Sequence, residues 1–344
     1  MWILIALVVT TFAEKPITID EFLAKPIPEY AKHLTGQALV DYVNEHQPFF
    51  KAHYTPGAEE LGRSRIMDSK FLVGPNKEDL MTDVITDEKL PESYDARERW
   101  PQCKSIGTIR DQSKCGSCWA VSAAGAMSDQ LCVQSNGTIK VLISDADLLA
   151  CCDPCGFGCQ GGFALKAYDY MKHEGVCTGG RYKQKDVCMP YPYFPCGKHK
   201  DQPYYSECPP HYFPTPKCRK KCQRKYGKSY YDDKYFAKTS YMISKDEEKI
   251  KQEIYKHGPV SASFEIYTDF LNYKEGIYVH TAGQKEGSHA IKIIGWGRAN
   301  DTDYWLIANS YNTDWGENGG YFRILRGKNH CEIEERVIGA VMKV

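Results

Sequence analysis

The chain has 344 residues, enough for one large domain or two modest ones, with 44 basic against 44 acidic side chains and 15 cysteines. Balanced charge excludes a global field of the kind that draws nucleic acid or an anionic membrane. All the cysteines lie between Cys103 and Cys331. That excludes an ordinary cytosolic enzyme and points to a disulfide-stapled body behind a differently built N-terminal segment.

The chain opens on an apolar run from Trp2 to Val9, followed by Thr11 and Ala13 as small residues before Glu14. The run is too short to span a bilayer and reads as a signal peptide over residues 1–13, although it lacks a basic start. No later stretch reaches membrane-spanning length, so a soluble secreted or lysosomal product is expected. Residues 14–89 are polar and cysteine-free. One helix is predicted from about Gly36 to Phe50, with Leu39, Val43, His46 and Phe50 on one face and Thr35 as N-cap. That is too little apolar surface for an independent core, so the segment is either disordered or packs on the body.

The body begins near Leu90. A helix is predicted from Cys118, with Ala120, Ala124, Met127 and Leu131 at helical spacing. A second helix follows "SKDEEKIKQEIYKHGP", with Ser244 and Glu247 as a capping box and Gly258–Pro259 as its stop. The period then changes from 3.6 to 2: Val260, Ala262, Phe264 and Ile266 alternate with polar neighbours. "HAIKIIGW", "DYWLIANS" and "GYFRILR" read as further strands. The body is therefore α+β, helical first and sheet last, with a cleft where the layers meet. Residues 177–236, rich in Cys, Pro, Tyr and Lys, form a long insert without periodicity, which cysteines would hold.

The pair Cys115 and Cys118 in "DQSKCGSCWAVSAAGA" admits three chemistries. With Cys152-x2-Cys155 it would make a zinc site, although the interval is longer than the common one. As a redox dithiol it would need a preceding strand in a βαβ unit. As a nucleophile, Cys118 needs a helix N-terminus to lower its pKa, a histidine partner, and a third group to orient that histidine. His289 begins the strand "HAIKIIGW" and Asn309 ends "DYWLIANS", so neighbouring antiparallel strands would bring them together. Gln112 carries an amide able to face an oxyanion.

These blocks resemble the papain family of cysteine proteases. "QSKCGSCWA" is similar to its cysteine signature, and "GSHAIKIIGWG" and "YWLIANSYNTDWGENGGYFRILRG" resemble its histidine and asparagine blocks. The intervals from Cys118, 289 − 118 = 171 and 309 − 118 = 191, exceed the family's roughly 130–150 residues. The surplus is the insert, with "LPESYDARERWPQC" and "CCDPCGFGCQGG" similar to the cathepsin B branch. The resemblance implies a two-subdomain papain-like fold, a helical half against an antiparallel barrel-like half. It also implies a propeptide over 14–89, a peptidase over 90–344, and an occluding-loop-like insert at about 188–222.

By the same resemblance Cys118 is the nucleophile, His289 its acid/base partner, Asn309 the orienting group and Gln112 an oxyanion donor. Trp315 would shield the His–Asn bond, and Gly161 and Gly162 would line the cleft. The implied disulfides are Cys103–Cys132, Cys115–Cys159, Cys151–Cys218, Cys152–Cys155, Cys188–Cys222 and Cys196–Cys208, leaving Cys177 and Cys331 over. The function implied is a monomeric endopeptidase, with peptidyl-dipeptidase activity if the loop 196–208 presents Lys198 and His199 to a substrate carboxylate. Its partners would be protein substrates, its own propeptide and cystatin-type inhibitors, with no cofactor, metal or nucleic acid.

The sequence departs from that branch in three places. Lys198 stands for a second histidine, and the loop lacks an arginine to pair with Asp314. Arg336 stands where a glutamate closes the S2 pocket. Tyr311 stands for a tryptophan, within a stretch that resembles a motif in cathepsin B-like proteases of blood-feeding worms, which suggests haemoglobin as a substrate. Asn136 and Asn300 head glycosylation sequons. The rival reading is a catalytically silent homologue that binds peptides or a partner.

Overall fold

The computed structural model describes residues 17–74, 76, 78–80 and 89–344. The signal peptide expected over 1–13 and most of the junction before Leu90 lie outside those residues. No described helix is long and apolar enough to cross a membrane. The helices are α1 (Ile19–Leu23), α2 (Gly36–His46), α3 (Ala58–Arg63), α4 (Ala96–Arg99), α5 (Cys118–Gln134), α6 (Asp145–Cys151), α7 (Ala164–His173), α8 (Glu247–His257) and α9 (Thr268–Leu271). The strands are β1 (Phe50–Ala52), β2 (Tyr94–Asp95), β3 (Ala237–Ile243), β4 (Val260–Tyr267), β5 (Tyr273–Tyr278), β6 (Lys285–Ala299), β7 (Thr302–Ala308), β8 (Tyr321–Leu325) and β9 (Val337–Met342).

The strands run in the order β1-β5-β8-β7-β6-β4-β9-β3, with β2 added to β6. All pairs are antiparallel except β5 with β8. One apolar core lies on this sheet, and a second joins α5, α6 and α7. Helix α5 sits between them with nearly every residue buried. Ala120, Ala123, Ala124 and Ala126 make that possible, because small side chains let neighbours approach from all sides. Two of its buried polar side chains reach across the seam, Asp129 Oδ2 to Lys292 Nζ at 2.6 Å and Gln130 Nε2 to the Pro259 carbonyl at 3.0 Å.

The N-terminal segment shares the sheet's core. Leu39, Val40 and Val43 of α2 and Phe50 of β1 are buried in it, and β1 adds a strand beside β5. This helix ends at His46, four residues short of the predicted Phe50. Gln47 precedes Pro48, which disfavours helical backbone. The Gln47 amide accepts from the Phe49 and Phe50 N–H groups and donates to the Val43 and Phe50 carbonyls, turning the chain into β1. The cap of α8 also differs. Asp246, not Ser244, accepts from the N–H groups of Glu248 and Lys249, since one carboxylate satisfies two orphan donors.

Six disulfides join Cys103–Cys132, Cys115–Cys159, Cys151–Cys218, Cys152–Cys155, Cys188–Cys222 and Cys196–Cys208. Cys118, Cys177 and Cys331 are free. Cys115 is thus bonded to Cys159 and Cys152 to Cys155, while Cys118 keeps its thiol. Among the described residues no group of three or more His, Cys, Asp or Glu is placed to hold a metal ion.

Candidate active site

Cys118 is the first residue of α5 and is fully buried. Its backbone N–H points out of the helix start, where the dipole favours an anion. Burial nevertheless pushes its thiol up to about 12, against the lowering expected from the helix alone. The N-terminal segment reaches this helix end: the Arg65 carbonyl meets Gln112, a Cβ on Gly116 would fall 2.9 Å from the Ile66 carbonyl, and Met67 and Phe71 share the apolar core that holds Cys118.

His289 stands on β6 opposite Phe264 of β4. Its Nε2 lies 2.8 Å from Asn309 Oδ1. That oxygen also accepts the Ser310 N–H at 2.8 Å, which identifies it as the carbonyl end of the amide. Nε2 therefore carries the ring proton, and Nδ1, buried without a hydrogen-bond partner, keeps its lone pair. Burial pulls this imidazole down to about 4; the Asn309 bond opposes that and the Arg65 charge adds to it.

Gln112 is held on three sides. Its Oε1 accepts from Ser310 Oγ at 2.7 Å, and its Nε2 donates to the Cys115 carbonyl at 2.8 Å and to the Arg65 carbonyl at 2.7 Å. Met67, two residues on, pairs with Ser288 through both backbone N–H groups, at 2.9 and 2.8 Å. A Cβ on Gly161 would fall 2.4 Å from the Phe71 ring and 2.9 Å from Met67 Cβ, and one on Gly162 would meet the Trp119 ring at 2.7 Å. The two glycines thus admit the covering segment and the packing beneath it.

Trp315 does not take the position expected of it. The ring beside His289 belongs to Tyr311, at 4.8 Å, and Trp315 packs edge-on behind Tyr311 at 5.4 Å. Tyr311 is two residues beyond Asn309 and so lies nearer the imidazole than Trp315, six residues beyond. The Arg65 guanidinium covers the other side of Tyr311, 5.1 Å from the ring centre. Sequence reasoning missed Arg65, Met67 and Ser310; only Ser310, adjacent to Asn309, sat where its neighbour pointed to it.

His199 also departs from its expected role. Its Nδ1 lies 2.7 Å from Asp314 Oδ2 and its Nε2 3.1 Å from the Cys196 carbonyl, with Asp111 at 3.7 Å. Both ring nitrogens are committed, so His199 fastens the 196–208 loop to the body and does not face outward to a substrate. The loop has no arginine for Asp314, and the imidazole fills that place. Lys198 is exposed. Arg336 Nη1 pairs with Glu332 at 2.7 Å while its Nε is buried without a partner. Asn136 and Asn300 are exposed at turns, with φ of 52° and 47°.

A buried free thiol at a helix start, an imidazole with one free nitrogen and an amide that fixes it define a thiol-dependent hydrolase site. Residues 90–341 match the papain family cysteine protease pattern, and the chain belongs to that family. It is 44% identical over 335 residues to cathepsin B-like cysteine proteinase 6 of Caenorhabditis elegans, covering 95% of this chain and 88% of that protein. It is 46% identical over 328 residues to cathepsin B-like cysteine proteinase 1 of Haemonchus contortus, covering 94% and 93%. The solved procathepsin B of Trypanosoma congolense is 33% identical with a TM-score of 0.73, covering 89% of this chain and 98% of that one. This protein is a cathepsin B-like cysteine peptidase.

Proposed function

We propose that the chain is the zymogen of an endopeptidase in which Cys118, His289, Asn309 and Gln112 do the chemistry. Residues 14–89 would be an inhibitory propeptide, and residues 90–344 the mature enzyme. The observation that carries this reading is the Arg65 carbonyl seated on Gln112 Nε2 beside the start of α5. A carbonyl there occupies the place of the oxyanion that forms when a substrate is attacked.

With the segment removed, Nδ1 of His289 would take the thiol proton, and the thiolate would attack the peptide carbonyl. The oxyanion would be held by Gln112 Nε2 and the Cys118 backbone N–H. The imidazolium would then protonate the leaving amine, giving an acyl-enzyme that water, deprotonated by the same imidazole, hydrolyses. Asn309 would keep Nε2 protonated throughout. No metal or cofactor enters this scheme.

Peptidyl-dipeptidase activity is a second reading, favoured by the loop 196–208 being fastened to the body through His199 and Asp314. With His199 committed, Lys198 would receive the substrate carboxylate. The six disulfides favour a secreted or lysosomal location, and the sequons at Asn136 and Asn300 would be accessible there. A monomer acting on protein substrates, haemoglobin among them, and open to cystatin-type inhibitors completes the reading.

The deciding experiment is labelling with an epoxide inhibitor of papain-like enzymes, before and after proteolytic removal of residues up to 89. Labelling of Cys118 only after removal is the expected result. Failure to label Cys118 in the processed protein would favour a silent homologue.

A further inference from the structure

The loop from Gln112 to Ser117 joins the two groups assigned above to the oxyanion, the Gln112 amide at one end and the Cys118 N–H just past the other. Connecting segments are the softest parts of a fold, yet a small misplacement of an oxyanion donor is costly to catalysis. Part of the restraint is local. Gln112 Nε2 donates to the Cys115 carbonyl at 2.8 Å, the Gly116 N–H to the Cys159 carbonyl at 2.8 Å, and Cys115 is bonded to Cys159. The rest comes from the cysteine-rich insert. Ser113 Oγ donates to the Phe194 carbonyl at 2.8 Å, and Lys114 Nζ to the carbonyls of Pro209 and Pro210, each at 3.0 Å.

One side chain of the insert reaches both ends of the loop. Tyr191 is buried, and its hydroxyl lies 2.9 Å from the Gln112 carbonyl and 2.7 Å from Ser117 Oγ. A carbonyl only accepts, so the Tyr191 O–H donates to Gln112. Its single proton is then engaged, and the Ser117 O–H donates to Tyr191. The protons run one way, from Ser117 to Tyr191 to Gln112, and bonds in such a chain strengthen one another. Burial holds the phenol well above its ordinary pKa, so it keeps that proton.

Ser117 shows the same arrangement from the other side. It is the N-cap of α5, where a serine hydroxyl ordinarily accepts from an N–H of the first turn. Among the described residues it makes no such bond. The hydroxyl is turned to Tyr191 instead, and the start of α5 has no side-chain cap where an oxyanion would approach. Tyr191 is itself fixed. Its N–H donates to the Gly180 carbonyl at 2.9 Å, and its ring packs edge-on to Tyr193 at 5.6 Å. It stands between Cys188, bonded to Cys222, and Cys196, bonded to Cys208.

We propose that Tyr191 is a positioning residue for the oxyanion hole, its hydroxyl setting the distance between Gln112 and the Cys118 N–H. The inference rests on the reading of those two groups as the oxyanion donors. It gives the insert a part in the chemistry of the cleft: the insert braces the loop that carries those donors, and it does so through one buried hydroxyl.

The test compares the processed wild type with processed Tyr191→Phe, which keeps the ring and removes the hydroxyl. The readouts are kcat and KM on a fluorogenic peptide, the affinity of a peptide aldehyde, and the rate at which iodoacetamide alkylates Cys118. The Cys118 thiol adds across the aldehyde C=O, which places an oxygen in the hole, whereas alkylation displaces iodide and forms no oxyanion. We expect kcat to fall about tenfold with KM nearly unchanged, less than the hundredfold or so for loss of a whole donor. Aldehyde affinity should fall by a similar factor, and alkylation should stay within about twofold of wild type. A proportionate loss of alkylation would show that the tyrosine only supports the fold around Cys118. Unchanged kcat and aldehyde affinity would show that the hydroxyl is not needed. Either result overturns the proposal. Gln112→Ala, measured alongside, tests the reading beneath it. A kcat unaffected by that change, in an enzyme whose Cys118 still labels, would remove the reading and the proposal together. Should Tyr191→Phe fail to fold, Ser117→Ala removes the donor to the Tyr191 hydroxyl. It should lower kcat and aldehyde affinity by about threefold, with alkylation unchanged, and no shift would overturn the proposal.

Discussion

The carbonyl of Arg65 and the side-chain amide of Gln112 are joined by a 2.7 Å hydrogen bond, although 47 residues separate them. A donor so engaged is not available to a substrate oxyanion. The uncut chain should therefore hydrolyse peptides at under about 1% of the rate of the form beginning near Leu90, losing one oxyanion donor (alone worth about 10²-fold or more) and cleft access together. Matched kcat/KM measurements on the two forms check this. Equal activity would mean that residues 65–71 do not block the cleft.

Cys118→Ser should abolish turnover, by at least about a thousandfold, because a nucleophile and its base act as a unit. Folding should be retained, since the side chains are nearly isosteric at this buried position. The assay is kcat on the processed variant beside its thermal melt. Residual activity within tenfold of wild type (against the thousandfold expected) would remove Cys118 from the nucleophile's role.

Acid should loosen the covering segment. His289 and His330 are both pulled down to about 4 by burial, and the His330 Nε2 must stay unprotonated to accept the His280 N–H. His330 also lines a groove with Phe22, Ile27 and Tyr42 of the N-terminal segment. Each imidazole is neutral in the docked form and protonates more easily when released. Docking is then fully stable above the ordinary imidazole range and weakens progressively from about pH 6.5 toward 4. Glu286, held below its usual range by Arg63 despite burial, adds to this. Its contribution is present above the ordinary carboxylate value and is lost as pH falls through the lowered one. The readout is the alkylation rate of Cys118 in the uncut chain, normalised to the processed form. That ratio should climb between about pH 7 and pH 4.5 through the two histidines, with Glu286 adding to the rise only below about pH 4.5; a flat ratio would contradict it.

Much of this site was legible in the chain because its parts are local. The small residues after Cys118 specify a buried helix, and the alternation around Val260–Ile266 specifies a strand, each from a short window. Asn309 directly follows β7, and although His289 lies inside β6 and does not begin it as expected, because Lys285–Ser288 also pair with β4, antiparallel pairing of β6 and β7 brings the two together. What was not legible depends on contacts across the fold. Arg65 lies in a polar stretch with no pattern, and only the path of the chain sets it over Gln112. His199 reads as an exposed loop histidine until Asp314, 115 residues away, is seen beside it. Trp315 and Tyr311 are both aromatic residues near Asn309, and sequence alone does not tell which faces the imidazole.

Breaking the His199–Asp314 contact should release the 196–208 loop at that end. Asp314 is more than a third exposed, so solvent screening limits the pair to about 1 kcal/mol or less, roughly fivefold in the open fraction. In the processed enzyme, Asp314→Asn should therefore raise cleavage of long internal peptides by up to about fivefold and lower removal of C-terminal dipeptides. Comparing the two substrate types on one preparation separates this from a general loss of activity. Parallel changes in both would show that the pair does not control the loop.

Arg336 should set the preference at P2. It follows Glu332 and Ile333 in the last turn before β9, and its guanidinium is half-buried against Glu332. An arginine side chain entering the same pocket would meet a like charge in a partly desolvated place, where such contacts cost several kcal/mol when unscreened. Glu332 already neutralises part of the Arg336 charge, so the expected cost is smaller, about 1.4–3 kcal/mol, or roughly 10- to 150-fold. Phenylalanine or leucine would instead lie along the arginine's methylene stem and leave its head at Glu332. The processed enzyme should thus cleave a Phe-Arg substrate with a kcat/KM at least about tenfold above an Arg-Arg one. Arg336→Glu should reverse the order, because the new carboxylate would attract the P2 guanidinium. If both substrates are cleaved equally well by wild type, and the variant leaves their ratio unchanged, Arg336 does not line the pocket.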